Sequence, residues 1–222
     1  MIGIVTATYK KPTLELFCYS INALRNVTQE PIHCICVGDK EDKKICDEYN
    51  IEFIYHPNTF VSDKFNKAME GMRRHNPSNV LILGSDDIIS VDTLAWYIKH
   101  KEYDLISVEI LYVYNVNTSE MIKLYLENIG AGRMYHHNIL DKHQWRIWPD
   151  GLKRNLDQNS YRYVANDIKT HIKTKGFLLD IKTDNNITPW DRLIALPEAV
   201  RVNEDILKEH LSEGQIKLLE GI

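Results

Sequence analysis

The chain has 222 residues, 26% charged and 44% hydrophobic, which is ordinary globular composition and enough for one large domain to bury a core without disulfides or structural metal. The formal net charge of −4 gives no global attraction to nucleic acid or anionic lipid, although Lys64, Lys67, Arg73 and Arg74 form a basic patch that this average conceals. No stretch approaches the roughly 18 consecutive apolar residues of a membrane span. The first residues, Met1-Ile-Gly-Ile-Val5, read as a strand rather than a signal segment, so a cytoplasmic setting is expected. Cys18, Cys34, Cys36 and Cys46 then read as buried free thiols, because Cys34 and Cys36 lie two apart in a strand-like run and not at zinc-site spacing.

Strand and helix signals alternate through the first half. Ile2 to Thr8 is apolar and β-branched, and Pro12-Thr13 opens a helix with Leu14, Phe17, Ile21 and Leu24 on one face. Ile32 to Val37 is a second strand ending at Gly38-Asp39, followed by a charged helix from about Glu41 to Tyr49 and a third strand, Ile51 to Tyr55. Ser62 is placed to cap a helix whose buried face is Phe65, Ala68, Met69 and Met72. This alternation predicts an α/β fold with a mainly parallel sheet and right-handed crossovers.

The next strand, beginning at Val80, stops at Gly84-Ser-Asp-Asp87. Two adjacent carboxylates at the end of an apolar strand sit where open α/β sheets gather their ligands. Hard oxygen donors suit Mg²⁺ or Mn²⁺, ions that usually bring phosphate oxygens with them, so the pattern points to a nucleoside diphosphate. The competing reading is a loop in which Asp87 caps the following helix.

The second half changes character. Leu105 to Tyr114 and Met121 to Leu126, joined by Asn115 to Glu120, predict a hairpin and hence a small antiparallel element. Asn159 to Lys175 sets Tyr161, Val164, Ile168 and Ile172 at helical spacing, with His171 on the helix surface, Gly176 as its stop and a strand from Phe177 to Ile181 beyond. Asn203 to Leu219 reads as one or two amphipathic helices. Tyr135, Trp145, Trp148 and Tyr161 are either sugar-stacking faces or core, and Trp145 to Gly151 reads as a loop over a pocket, near His136 and His137. With no repeat or linker, residues 1–222 are expected to form a single domain: a nucleotide-binding half over 1–100, an acceptor half over 101–182 and a helical tail over 183–222.

Taken in order, these motifs resemble the family 2 nucleotide-sugar glycosyltransferases, which have the A-type (GT-A) fold, over roughly residues 1 to 182. The matching segments are Ile4-Val-Thr-Ala-Thr-Tyr-Lys-Lys-Pro12, Val37-Gly-Asp39, Pro57-Asn58, Lys64-Phe-Asn-Lys-Ala68, Gly84-Ser-Asp-Asp87, Gly130-Ala-Gly-Arg133 and Leu156-Asp-Gln158. The resemblance implies a Rossmann-like sheet flanked by helices, and a hexosyltransferase-like activity that moves a sugar from a nucleoside diphosphate donor, UDP-linked in this reading. It assigns the donor to Thr6, Ala7, Thr8, Tyr9, Asp39, Asn58, Lys64, Asn66, Ser85 and Asp86, and a Mn²⁺ or Mg²⁺ ion to Asp86, with Asp87 as second ligand or its support. Asp157 is then the general base, taking the acceptor's proton.

Two departures stand out: Gly84 replaces the first aspartate of the family's acidic motif, and Leu156 replaces the glutamate before Asp157. The acceptor class stays open among glycans, small molecules, proteins and modified DNA bases. Two other readings remain. A sugar-phosphate nucleotidyltransferase shares the sheet and metal but has a Gly-rich first loop, which Thr6 to Lys11 lacks. An inactive nucleotide-binding module would follow if Gly84 marks a lost site.

Overall fold

A computed structural model describes every residue except 10–11, 126–128, 155, 185 and 187. Its first half is a run of crossover units: β1 (Ile2–Ala7), α1 (Leu14–Val27), β2 (Ile32–Gly38), a 3₁₀ turn (Lys40–Asp42), α2 (Lys43–Glu48), β3 (Glu52–Tyr55), α3 (Val61–Arg73) and β4 (Asn79–Ile82). Strands β4, β1, β2 and β3 lie side by side and parallel. Both faces of this sheet are covered, which is why its strands read as near-continuous apolar runs. Period two sends Ile4, Cys34 and Cys36 toward the predicted α1 face of Leu14, Phe17, Ile21 and Leu24. The alternate residues Val5, Ile35 and Val37 pack against Phe65, Ala68, Met69 and Met72 of α3, again the face expected.

The helix α3 begins differently from the expectation. Phe60 occupies the cap position, and Ser62 lies inside the first turn. The Ser62 hydroxyl instead accepts from the Leu152 N–H at 2.9 Å, while the Ser62 N–H donates to the Leu152 carbonyl at 3.2 Å. A distant loop has taken the capping side chain.

Beyond β4 come β5 (Asp87–Ile89), α4 (Val91–Lys99), β6 (Leu105–Val108), β7 (Ile110–Asn115), β8 (Glu120–Tyr125), β9 (Arg133–His136) and α5 (His137–Lys142). They are followed by α6 (Leu156–Val164), β10 (His171–Thr174), β11 (Leu178–Lys182), α7 (Trp190–Ile194), β12 (Ala199–Val202), α8 (Ile206–His210) and α9 (Glu213–Glu220). The strands form a seven-stranded sheet of order β10-β6-β9-β4-β1-β2-β3 and a five-stranded sheet of order β12-β8-β7-β11-β5. Strand β9 runs antiparallel between β4 and β6, so the first sheet is mixed but mostly parallel.

The apolar run from Leu105 is not one strand. It breaks at Glu109, and its two pieces enter different sheets: β6 joins the first, while β7 forms the expected hairpin with β8, Ile110 opposite Tyr125 and Asn115 opposite Glu120. The last residue of the predicted hairpin, Leu126, lies outside the described residues. The helix expected through Lys175 stops at Val164, and His171 starts an edge strand parallel to β6. Backbone pinning explains the change of period, because the Asp104 carboxylate accepts from the N–H groups of Lys169 and Thr170 at 2.9 and 3.0 Å and delivers the chain to the open edge of β6. His171 meets the Ser107 hydroxyl at 2.9 Å.

The tail docks on the first helix, where Gln215 of α9 donates to the Ser20 hydroxyl of α1 at 2.9 Å, and Ser212 and Gln215 form a capping box. All four cysteines are buried and free, as expected. Among the described residues no helix is long and apolar enough to cross a membrane.

Gly132, just before β9, has φ +71°, and a Cβ there would lie 2.8 Å from Leu178 Cδ2. A Gly132→Ala substitution therefore adds both backbone strain and a clash with a buried leucine. It should destabilise the fold by about 1–3 kcal/mol, read as a lowered urea midpoint at unchanged slope.

Candidate functional site

A cleft of about 890 Å³ opens at the carboxyl ends of β1 and β4, bounded by the start of α3, the end of β11 and the loop before α6. Ala7, Thr8, Tyr9, Asn58, Lys64, Ser85, Asp86 and Asp87 line it, as do Gly130, Ala131, Trp148, Asp180 and Lys182. The sequence-predicted residues of the β1 end, the acidic turn and the glycine segment are thus brought to one surface.

One wall is acidic and tightly knit. The chain turns from β4 into β5 across Gly84 to Asp87, and Asp87 Oδ2 closes the turn by accepting from the Gly84 N–H at 2.6 Å. Strand pairing sets Asp87 opposite Asp180 of β11. Asp87 is only 6% exposed, and that burial, with the charges of Asp180 and Asp86, holds its carboxyl well above the ordinary carboxylate range. Lys182 reaches back to Asp180 at 2.6 Å. Burial works to lower the Lys182 ammonium, but the facing carboxylates of Asp180 and Asp86 outweigh it and raise its pKa above the usual lysine value. Asp86 is turned the other way, its Oδ2 accepting from the Asn186 amide at 2.5 Å.

Gly84 has a steric role in this arrangement. A Cβ built on it would sit 2.5 Å from Asp86 Oδ1 and 2.9 Å from Asp87 Oδ2. The space that an aspartate side chain would fill is occupied by the two carboxylates that follow, so the departure from the family motif and the shape of the turn go together.

The opposite wall is held by Lys64. Its Nζ donates to the Thr8 carbonyl at 2.7 Å and to Asn58 Oδ1 at 2.9 Å, and it lies 5.4 Å from the centre of the Tyr9 ring. At 2% exposure it is no solvated lysine. Burial lowers its pKa against the pull of Asp42 and Asp39. Lys64 therefore braces the loops after β1 and β3 while keeping a cation at the cleft. Two polar atoms of the lining, Thr8 Oγ1 and Trp148 Nε1, are buried with no hydrogen-bond partner among the described residues.

Three expected donor contacts are not brought to the cleft wall. Thr6 is buried within β1. Asp39 is half-buried and its Oδ1 accepts from the Lys40 N–H at 2.7 Å, capping the 3₁₀ turn. Asn66 clamps the backbone of Trp148, donating to its carbonyl at 2.8 Å and accepting from its N–H at 3.3 Å. That clamp seats Trp148 on Phe65, with ring centroids 5.2 Å apart. Trp145, by contrast, is core, donating from its indole to Asp141 at 2.7 Å. Leu156 and Ser160 of α6 line the cleft. The side chain of Asp157, between them, lies outside the described residues, as do Lys10 and Lys11.

Asp180, Lys182 and Asn186 were not singled out in the sequence. Asp180 and Lys182 stand two apart at the end of an apolar strand, hence on one face, and this alternation is the signal that marks them.

No protein-family model and no curated protein matches the sequence. The likeness is in the fold. TarS of S. aureus, residues 1–349 in complex with UDP-GlcNAc, is 17% identical and superposes with a TM-score of 0.62 over 83% of this chain and 59% of that one. The mannosyltransferase PcManGT of Pyrobaculum calidifontis, in complex with GDP-Man and Mn²⁺, is 12% identical with a TM-score of 0.59, over 83% of this chain and 58% of that one. A Bacillus anthracis protein with a provisional glucose-1-phosphate thymidylyltransferase assignment follows at 0.50 and 10% identity. The chain spans about three fifths of the length of the first two. It shares the GT-A glycosyltransferase fold.

The raised pKa of Asp87 carries a sign for stability. The folded state holds this proton more tightly than the unfolded chain, so stability is lost as pH rises from the unfolded value toward the folded one. Asp87→Asn keeps an oxygen for the Gly84 N–H and has no such loss. The unfolding free energy of the variant minus that of the parent should therefore increase from pH 4 to pH 8, measured by urea titration at both; a difference that stays constant or decreases would contradict the assignment.

Proposed function

We propose that this chain is a glycosyltransferase that moves a sugar from a nucleoside diphosphate donor, UDP-linked, to an acceptor bound on the side of α6. The observation that carries the reading is that the Asp86 carboxylate and the Lys64 ammonium line one cleft at the carboxyl ends of β1 and β4, in a fold shared with structures that hold UDP-GlcNAc and GDP-Man.

In this reading the nucleotide lies along Ala7, Thr8, Tyr9 and Asn58, with Thr8 Oγ1 and Trp148 Nε1 finding their missing partners on the ligand. The diphosphate lies between Ser85-Asp86 and Lys64, where the first-turn N–H groups of α3 add positive potential. The donor set fits a hard divalent cation through Asp86, since Asp87 is tied to Gly84 and Asp180 to Lys182. Asp86 would hold Mn²⁺ or Mg²⁺, which would supply positive charge at the diphosphate. Lys64 contributes charge of the same sign from the opposite wall without any ion. Trp148, fixed by Asn66, keeps water from the donor, and Asp157 takes the acceptor's proton as general base.

The test is thermal stabilisation by UDP-GlcNAc, UDP-glucose and GDP-mannose with and without Mn²⁺, followed by donor turnover. A uridine donor should raise the melting temperature most. Asp86→Asn should fold and lose the Mn²⁺-dependent part of donor binding. Asp157→Asn should bind donor as the parent does and lose about 10²- to 10⁴-fold in transfer, the usual contribution of a general base. Absence of stabilisation by every donor would overturn the proposal, and parent-like transfer by Asp157→Asn would move the base elsewhere.

A further inference from the structure

The far end of the seven-stranded sheet carries a second constellation. His33 is the second residue of β2, and five residues on, about 16 Å along the strand, Gly38 marks the edge on which the cleft opens. Glu52 is the first residue of β3, and His75 follows the last turn of α3. Period two puts His33 on the face of Ile35 and Val37, and Glu52 on the face of Ile54, which is the face that α3 covers. Three elements thus deliver three side chains to one point beneath the end of the helix.

Their geometry converges. His33 Nε2 and His75 Nε2 each lie 2.9 Å from the same oxygen, Glu52 Oε2. The two imidazoles stack with centroids 3.8 Å apart and an interplanar angle of 29°. All three ligand atoms lie within 4.8 Å of one another. Arg74 pairs with the other carboxylate oxygen, Oε1, and so orients the carboxylate while leaving Oε2 to the histidines.

We propose that His33, Glu52 and His75 bind a divalent transition-metal ion of the zinc class, at a site separate from the donor cleft. Two imidazole nitrogens and one carboxylate oxygen are the donor set that such ions favour, and magnesium and calcium do not. Ligand atoms around a four-coordinate zinc with bonds near 2.0–2.1 Å are about 3.3 Å apart, so the two histidine–Glu52 contacts at 2.9 Å need to open by only a few tenths of an ångström. The three side chains are 23–29% exposed, which leaves an approach for the ion and room for a water as fourth ligand.

The electrostatics define what kind of site this is. Arg74 offsets the charge of Glu52, so nitrogen ligation and not bulk attraction selects the ion. The carbonyl end of the α3 dipole adds a modest attraction. Burial, the neighbouring His75 and nearby arginines push the His33 pKa down to about 4, and burial lowers that of His75 as well. Ligation would require each ring's one proton to sit on Nδ1, in place of the Nε2–H that bonds Glu52, so that Nε2 offers its lone pair to the metal. The ion would then cross-link β2, β3 and the end of α3.

Calorimetric titration of the full chain with ZnCl₂, at pH 7 after treatment with chelator, tests this. The expected result is one saturable site, a rise in melting temperature with Zn²⁺ and no response to MgCl₂ there. His75→Asn and Glu52→Gln should each weaken Zn²⁺ at least tenfold while keeping the parent's circular dichroism. Asp86→Asn should bind Zn²⁺ as the parent does. Co²⁺ should give the visible absorption of a four-coordinate site in the parent and not in His75→Asn. Absence of saturable 1:1 binding would show that the cluster is a hydrogen-bonded pair of histidines on a glutamate and overturn the proposal. So would unchanged affinity in folded His75→Asn, or loss of Zn²⁺ binding in Asp86→Asn, which would place the ion in the cleft.

Discussion

The turn from Gly84 to Asp87 is where the two sheets are joined, and one buried carboxyl holds it. The chain leaves the first sheet at Ile82 and enters the second at Asp87. Between these points the backbone must reverse within a few residues while delivering Asp87 to its partner Asp180. The Asp87–Gly84 hydrogen bond closes that reversal from within, and the missing side chain at Gly84 leaves room for it. The same turn lines the cleft, so the constraint that joins the sheets also shapes its wall.

A seam built from acids needs a counter-charge. Asp86, Asp87 and Asp180 crowd one wall, and three ionised carboxylates in so dry a place would repel strongly. The structure relieves this in three ways. Burial raises the pKa of Asp87, Lys182 sets an ammonium against Asp180, and Asn186 donates to Asp86. The adjacent aspartates differ in burial: Asp87 is the first residue of β5 and is buried, while Asp86 precedes the strand and is half-buried.

Much of this was legible in the sequence where local pattern and tertiary demand agree. The strands and helix faces of the first half followed from periodicity because each strand is buried on both sides and each helix on one. The acidic turn showed itself as polar residues at the end of an apolar run. What escaped notice depended on partners distant in sequence. His171 belongs to a strand because Asp104, 67 residues earlier, pins the backbone before it and β6 offers an edge, and the spacing of Ile168 and Ile172 fits either period. Leu105 to Tyr114 carries no break signal stronger than Glu109, yet it serves two sheets. Asn66 looked like a ligand contact and is a clamp on Trp148, since nothing in a helix sequence states which loop will lie over it.

Helix α3 is the element common to both sites, with Lys64 in its first turn and His75 just past its last. At 13 residues it spans about 20 Å. Its sheet-facing side, Ala68, Met69 and Met72, is fully buried against β1 and β2, and close-packed interiors resist small displacements. An ion under the C-terminal end therefore has two routes to the cleft: moving the helix as a body against that packing, or making its existing position harder to leave. The second costs no repacking. Lys64 also holds the Thr8 carbonyl and Asn58 directly, so anything that secures α3 secures the loops that would cradle a nucleotide. A metal bound at the far end would act by reducing local opening of α3, and its influence on the cleft would come through stability and not through a change of shape.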